Sequence, residues 1–176
     1  MKYCSNCASP LEYRVPEYDD RERHCCPSCG HIHYINPKVI VGCLPIWEDK
    51  ILMCKRGIEP RKGYWTLPGG FMEVDETTEQ GALRETWEEA RVQADIVKLH
   101  GIYNIPHINQ VYFFYLANML SPDFETTFES TEIKLYDKTE IPWDQLAFKV
   151  VELALKQYMS GDGEIQSPYF HSEIRL

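Results

Sequence analysis

The chain has 176 residues, with 18 Lys and Arg against 27 Asp and Glu, for a formal net charge of -9. That length supports one core of ordinary size with at most a small appendage, and 44% apolar with 12% aromatic residues excludes a disordered chain. The acidic balance argues against nucleic acid as a partner, because phosphate backbones call for a basic surface; no run of 18 apolar residues points to a membrane, and Met1–Arg14 lacks the apolar core of a secretory signal, so a cytoplasmic protein is expected.

Five of the seven cysteines fall in the first thirty residues. Cys4-Ser-Asn-Cys7 and Cys26-Pro-Ser-Cys29 are two CxxC pairs with 18 residues between them, the spacing of a structural zinc site. Each CxxC turn aims two thiolates at one centre, and two turns close a tetrahedron around Zn²⁺. A segment this short buries too little surface to fold alone, so a metal staple has a physical reason. Disulfides are the competing chemistry, disfavoured in a reducing cytosol. Cys25 would give a CxxxC spacing with Cys29, so Cys26 is the better ligand. Gly30 follows the second pair, where a positive φ is often needed, and His24, His31 and His33 are expected to be solvated or packed. Residues 1–34 are therefore expected to form a zinc ribbon. Lys2, Arg14, Arg21 and Arg23 are offset there by Glu12, Glu17, Asp19, Asp20 and Glu22, which leaves no basic stripe.

Residues 35–176 are expected to form the main domain. Asn36-Pro37 punctuates the join. Lys38 to Trp47 reads as a strand, Glu48-Asp49-Lys50 as a turn, and Ile51 to Arg56 as the returning strand. A polar loop with Pro60 and Gly63 leads to a short strand from Trp65 to Leu67. Thr77 to Ala90 reads as a helix, with Thr77 as N-cap and Gln80 completing a capping box. Leu83, Trp87 and Ala90 are expected as its buried stripe. Asp95 to Tyr103 and Val111 to Met119 are strand-like, Ser121 to Thr131 is a polar acidic loop, and Ile133 to Tyr136 is a further strand. A second amphipathic helix is expected over about Gln145 to Met159, followed by a weakly patterned last dozen residues. Strands interleaved with two helices imply a mixed α/β sandwich.

The chemistry concentrates on the first helix. Glu85, Glu88 and Glu89 stand at i, i+3 and i+4, which puts three like charges on one face. Their mutual repulsion becomes binding when a hard divalent cation such as Mg²⁺ or Mn²⁺ takes their oxygens. Gly81 falls on the same face and is expected to clear space for a phosphate or metal, with Trp87 and Leu83 packing on the opposite side.

The stretch from Gly70 to Val92 resembles the signature of the Nudix hydrolases: G, five residues, E, seven residues, R-E-U-x-E-E-x-G-U, with U a bulky aliphatic residue. Gly70, Glu76, Arg84, Glu85, Glu88, Glu89 and Val92 stand at the matching positions, while Thr86 and Arg91 depart from it. Arg91 replaces a glycine at the helix end, where a left-handed conformation costs about 1–2 kcal/mol. The resemblance implies an α/β/α sandwich with a mixed sheet and catalytic Mg²⁺ or Mn²⁺ on Glu85, Glu88, Glu89 and the Gly70 carbonyl. It gives Arg84 the task of orienting the carboxylates through Glu76, and it implies a homodimer. Glu85 itself, or Glu129 or Glu132 from the later loop, would be the catalytic base.

A four-cysteine ribbon, Tyr34-Ile35-Asn36-Pro37-Lys38 and a Nudix body together resemble the NADH pyrophosphatase-related branch. The Ser-Gln-Pro-Trp-Pro-Phe-Pro array of true NADH pyrophosphatases is missing, and Ile105 to Tyr112 stands in its place. Trp65 to Gly70, Arg84 to Glu89, and Ile141-Pro142-Trp143 with Leu146-Ala147-Phe148 are instead similar to the plant-type FAD and ADP-ribose pyrophosphatases. The resemblance thus favours a small nucleotide substrate: ADP-ribose, giving AMP and ribose 5-phosphate, or FAD, giving AMP and FMN. NADH is the alternative. A reading of another class is a ribbon that binds nucleic acid or protein, attached to an inactive Nudix body. Arg56 could meet a substrate phosphate or form a surface salt bridge. Gln110 and Tyr112 share a strand face and could contact the nucleoside, with core packing as the competing role for Tyr112.

Overall fold

The computed structural model describes residues 1–160 in full and the backbone of Phe170–Glu173. It divides into two compact units, Met1–Pro37 and Lys38–Leu176. Among the described residues, no helix is long and apolar enough to cross a membrane.

The first unit is a three-stranded antiparallel sheet: β1 (Glu12–Arg14), β2 (Arg23–Cys25) and β3 (Ile32–His33), in the order β1-β2-β3. Two matching turns carry the CxxC pairs. The Ala8 N–H donates to Cys4 O at 2.9 Å, and the Gly30 N–H donates to Cys26 O at 3.0 Å. Both closing residues have positive φ, 58° at Ala8 and 75° at Gly30. The left-handed turn expected at Gly30 is therefore repeated at Ala8, where a Cβ makes it less favourable.

The second unit is built on one mixed sheet. β4 (Lys38–Trp47) and β5 (Lys50–Arg56) form a hairpin, β6 (Trp65–Thr66) pairs with β5, and β7 (Gly69–Phe71) pairs with β4. The helix α1 (Thr78–Ala90) follows. Then come β8 (Ala94–Ile105), a 3₁₀ turn at Pro106–Ile108, β9 (Gln110–Met119), β10 (Ser130–Tyr136), α2 (Lys149–Met159) and β11 (Phe170–Glu173). The main strand order is β10-β5-β4-β9-β8-β11; β4 lies parallel to β9 and β11 parallel to β8, and the remaining pairs are antiparallel.

Alternation along the central strands sorts the core into two faces. Val41 and Cys43 of β4, with Tyr115 and Ala117 of β9, pack with Ala82 of α1. Leu44 of β4 and Phe114 of β9 pack with Val150, Val151 and Ala154 of α2. One helix on each face of a mixed sheet makes the α/β/α sandwich that the sequence resemblance implies.

Two expectations change. The inward face of α1 is Gly81, Ala82, Thr86, Glu89 and Ala90, while Trp87 is 44% exposed and Leu83 only half-buried. The sheet approaches too closely for bulk: a Cβ on Gly81 would lie 2.5 Å from Glu76 Oε1 and 2.9 Å from Val41 Cγ2. Gly81 therefore accommodates Glu76 and β4, not a ligand, and the carboxylate face is the packed face. Second, α2 begins at Lys149, because Leu146 bridges to Trp65 and the Ala147 N–H donates to Trp65 O at 2.8 Å, holding that stretch extended. Gly69–Phe71 is a further strand that the sequence pattern did not indicate. Gly42 and Gly69 face each other across β4 and β7, where a Cβ on Gly69 would lie 2.9 Å from Gly42 Cα. Most of the last dozen residues lie outside the described residues.

Candidate active site and metal centre

Helix α1 starts as expected. The Gln80 N–H donates to Thr77 Oγ1 at 3.2 Å, and the Thr77 N–H donates to Gln80 Oε1 at 2.8 Å. Its other end settles the departure at Arg91, which adopts the left-handed conformation at φ 57° and donates its N–H to Trp87 O. The guanidinium lies over the Trp87 ring, 5.6 Å from its centroid, a contact that a glycine could not make.

Arg84 organises the acidic residues. Its Nε and one terminal nitrogen donate to both oxygens of Glu76, at 3.0 and 2.8 Å. The other terminal nitrogen donates to Glu85 Oε1 at 2.9 Å and to Glu88 Oε2 at 2.8 Å. A further bond to Phe71 O fixes the guanidinium against β7. This bidentate pairing holds the Glu76 carboxyl down at about 2, helped by the Glu73 N–H that donates to it.

Glu89 sits differently. It is buried, and its carboxylate accepts the Gly69 N–H at 3.1 Å. Burial pushes its carboxyl up to about 8, with the nearby charges of Glu85 and Glu129 adding to the shift. Burial also raises the Glu85 carboxyl, against the pull of Arg84. Gly70 makes room for Glu85: a Cβ there would lie 2.5 Å from Glu85 Oε2.

These groups open onto one cavity of about 650 Å³, within the roughly 300–1,000 Å³ range of small-molecule sites. Gly70, Glu85, Glu88, Glu89 and Arg84 line it, together with Glu129, Arg56, Gln110 and Tyr112. Arg56 donates from Nε to Pro60 O at 2.8 Å and lies 5.1 Å from the Phe148 ring centroid. Tyr112 donates its hydroxyl to Gln110 Oε1 at 3.1 Å and also packs against the α2-side core. Glu132 is not brought to the site: it lies exposed on β10, paired with Lys55 at 2.9 Å. Glu76 stands behind Arg84, not on the cavity wall.

The carboxylates suit a hard divalent cation. Glu89 is an oxygen donor whose charged form burial disfavours and which, among the described residues, takes the Gly69 N–H, and Glu85 faces the same cavity. Their oxygens are not drawn into a tight cluster, because Arg84 holds Glu85 and Glu88. Among the described residues, the convergent ligand set is instead Cys4, Cys7, Cys26 and Cys29, whose sulfurs all lie within 4.8 Å of one another. Cys4 and Cys29 are 3.7 Å apart and Cys7 and Cys26 3.5 Å, near the roughly 3.8 Å edge of a tetrahedron with Zn–S bonds of about 2.3 Å. Cys25 turns away toward Arg14 O and Arg23 O. His33 is buried with Nε2 3.4 Å from Cys4 Sγ, the packed histidine of the three.

Sequence reasoning missed several groups. Gly69 supplies the N–H to Glu89, Phe148 stacks on Arg56, and Thr127 ties the loop before β10 to α1. The Gly-Gly doublet was the available signal for Gly69; nothing in the pattern marked Thr127.

Residues 36–159 match the model of the NUDIX domain, and residues 2–35 match the zinc-ribbon model described as Nudix N-terminal. The chain is 48% identical to a NUDIX hydrolase from Nitrosomonas europaea of known crystal structure, with full coverage of both chains and a TM-score of 0.94. It is 31% identical over 132 residues to an ADP-ribose pyrophosphatase of Methanocaldococcus jannaschii, covering 72% of this chain and 75% of that protein. It is 35% identical over 94 residues to the NAD-capped RNA hydrolase NudC of Chromobacterium violaceum, covering 52% of this chain but 33% of that relative. The chain belongs to the Nudix hydrolase family, with that family's zinc ribbon at its N-terminus.

Proposed function

We propose that this enzyme hydrolyses the diphosphate bond of a nucleoside diphosphate derivative, with ADP-ribose (to AMP and ribose 5-phosphate) or FAD (to AMP and FMN) as its substrate. The supporting observation is the mixed lining of a single cavity. Glu85, Glu88, Glu89 and Glu129, with Arg56 and Arg84, would manage a charged diphosphate, and Tyr112, Phe114 and Phe148 offer aromatic surface to a nucleoside. The similarity to an ADP-ribose pyrophosphatase over most of both chains points the same way.

Mg²⁺ or Mn²⁺ held by Glu85, Glu88, Glu89 and the Gly70 carbonyl would supply phosphate neutralisation and a water of lowered pKa. Arg84 keeps Glu85 and Glu88 in register on α1, and its pairing with Glu76 fixes its own position. Arg56 directs a cation at the diphosphate. Glu129 faces the cavity near Glu85 and Glu89 and accepts the proton of the attacking water; Glu132 is dropped from that role because it lies on the solvent side of β10. Gln110 and Tyr112 border the nucleoside. The working form is a cytoplasmic homodimer, which light scattering on the purified protein would check.

The decisive experiment compares kcat/KM for ADP-ribose, FAD, NADH, NAD⁺ and diadenosine polyphosphates, with products from ¹⁸O water locating the attacked phosphorus. A preference for ADP-ribose or FAD of at least about tenfold, or 1.4 kcal/mol, is expected. The similarity to NudC supports a second reading, hydrolysis of NADH or an NAD-capped RNA end, so a capped oligonucleotide belongs in the same panel. Salt-sensitive nucleic-acid binding without any hydrolysis would instead favour a binding module.

A further inference from the structure

The loop before β10 is polar and acidic, yet it is tied to α1. The last carbonyls of a helix lack intrahelical donors. Here the Ala90 carbonyl accepts the Glu125 N–H at 3.0 Å, and the Glu89 carbonyl accepts the Thr127 hydroxyl at 3.2 Å. Two carbonyls at the C-terminal end of α1 are thus satisfied by the loop.

Thr127 then folds the loop back on itself. Its hydroxyl oxygen accepts the Ser130 N–H at 3.2 Å, and its own N–H donates to Ser130 O at 3.0 Å. Residues 127–130 form a tight turn with Phe128 at its exposed tip and Glu129 beside it, facing the cavity. A third tie comes from β5's end, where the Gly57 N–H donates to Glu129 O at 2.7 Å. One hydroxyl therefore connects the backbone of Glu89, a carboxylate of the cavity wall, to the turn that carries Glu129.

We infer that Thr127 is a positioning residue: its hydroxyl, donating to Glu89 O and accepting from Ser130 N, sets where the Glu129 carboxylate stands relative to α1. This rests on the proposed role of Glu129 as proton acceptor. Thr127 does not line the cavity, whereas Glu129 does, so the effect of Thr127 passes through Glu129. Displacing a reacting group by about 1 Å costs on the order of a hundredfold in rate.

The test is a double-mutant cycle. Thr127→Val keeps the shape and removes both hydrogen bonds, and Thr127→Ser keeps both. With the substrate that the panel selects, Thr127→Val is expected to lower kcat by about tenfold to a hundredfold with KM within about twofold, and Thr127→Ser to restore the rate. Thermal unfolding of each variant verifies that the fold survives. In a Glu129→Gln background, Thr127→Val should lower kcat no further. An equal loss in that background, which an effect through Glu89 would give, overturns the positioning role, as does a serine variant as slow as the valine. Wild-type kcat in Glu129→Gln alone overturns the proton-acceptor role, and the inference falls with it.

Discussion

The ribbon and helix α1 arrange their candidate metal ligands in opposite ways. In the ribbon, four sulfurs converge on one centre, and the N–H groups of Asn6 and Cys29 point at Cys4 Sγ and Cys26 Sγ at 3.4 and 3.5 Å. On α1, the carboxylates are kept apart by partners of their own: Glu76, Glu85 and Glu88 share Arg84, and Glu89 takes the Gly69 N–H. A closed set with four thiolates leaves no position for a substrate and suits a structural metal. An open set on a cavity wall suits a metal that must share its coordination with a phosphate and water. The two sites should therefore respond to the loss of a ligand with opposite signs in stability.

The largest effect is expected in the ribbon. Structural zinc contributes roughly 10–16 kcal/mol of binding free energy to small domains of this kind. Cys26→Ser, or a strong chelator, should abolish zinc binding and leave residues 1–37 open to protease, as metal analysis and limited proteolysis would report. Cys25→Ser should keep the wild-type zinc content, since that thiol points to Arg14 O and Arg23 O. Retention of a protected ribbon after zinc is stripped would remove the contrast.

The same loss on α1 should stabilise the metal-free protein. Glu89→Gln keeps an acceptor for the Gly69 N–H and replaces a carboxyl that burial forces to take up a proton with an amide that is neutral in both states. Turnover should fall by orders of magnitude, while the melting temperature without Mg²⁺ rises, by about 2–4 °C for each kcal/mol recovered in a chain of this size. Activity assays and calorimetry in EDTA measure the two halves. A lower melting temperature would mean that Glu89 is held by more than one amide.

The contrast also explains what could be read from the chain alone. The CxxC spacing and the capping box are local, so each was visible in a few residues: Cys4, Cys7, Cys26 and Cys29 converge, and Thr77 and Gln80 cap α1 reciprocally. The carboxylate spacing likewise led to the cavity wall. Which side of α1 faces inward was not legible, because Leu83 and Trp87 carry the hydrophobic weight, whereas the sheet lies closest at Gly81, Leu83 packs only at the edge of the core and Trp87 faces solvent. A tight helix–sheet contact selects Gly81, Ala82 and Thr86 by size, and periodicity of bulk then points to the wrong face. Thr86, a departure from the aliphatic pattern, is fully buried and satisfies its hydroxyl on Ala82 O at 2.7 Å. The ties from Glu125 and Thr127 were invisible for another reason: a backbone N–H and a hydroxyl leave no compositional trace.

A smaller effect should appear in the pH dependence of stability. The folded carboxyl of Glu89 is raised from 4.5 to about 8, so the metal-free fold binds the proton more tightly than the unfolded chain. Its contribution is complete below about 4.5 and lost as pH rises through 8, with Glu85 acting in the same direction. Glu76 is lowered to about 2, so its contribution is complete above 4.5 and lost as pH falls toward 2. In EDTA, the melting temperature should therefore decline from pH 5 to 8 and also below pH 4.5. Saturating Mg²⁺ should remove the first decline, by replacing the proton on Glu89, and leave the second. A melting curve with the same slope from pH 5 to 8 in both buffers would show that the cation does not reach that carboxylate.

The smallest effect separates two glutamates that the sequence left together. Glu129 and Glu132 stand three residues apart, and either could have been the catalytic base. Glu132 pairs with Lys55 across β5 and β10, with both side chains partly in solvent, and such pairs contribute about 0–1 kcal/mol. Its side chain lies outside the cavity lining, whereas that of Glu129 belongs to it. Glu132→Gln should leave kcat and KM at wild-type values and shift stability by no more than about 0.5 kcal/mol, measured by urea unfolding. Glu129→Gln should leave stability equally untouched while lowering kcat by about 10²–10⁴. Position relative to β10, not charge, decides the difference: Gly57 and Thr127 hold the turn that sets Glu129 on the cavity wall just before the strand, and Glu132 enters the ladder beside Lys55. A large kcat loss in Glu132→Gln would require β10 to shift register in the substrate complex, which the Ile133↔Cys54 and Leu135↔Leu52 pairs, with both β5 partners fully buried, oppose.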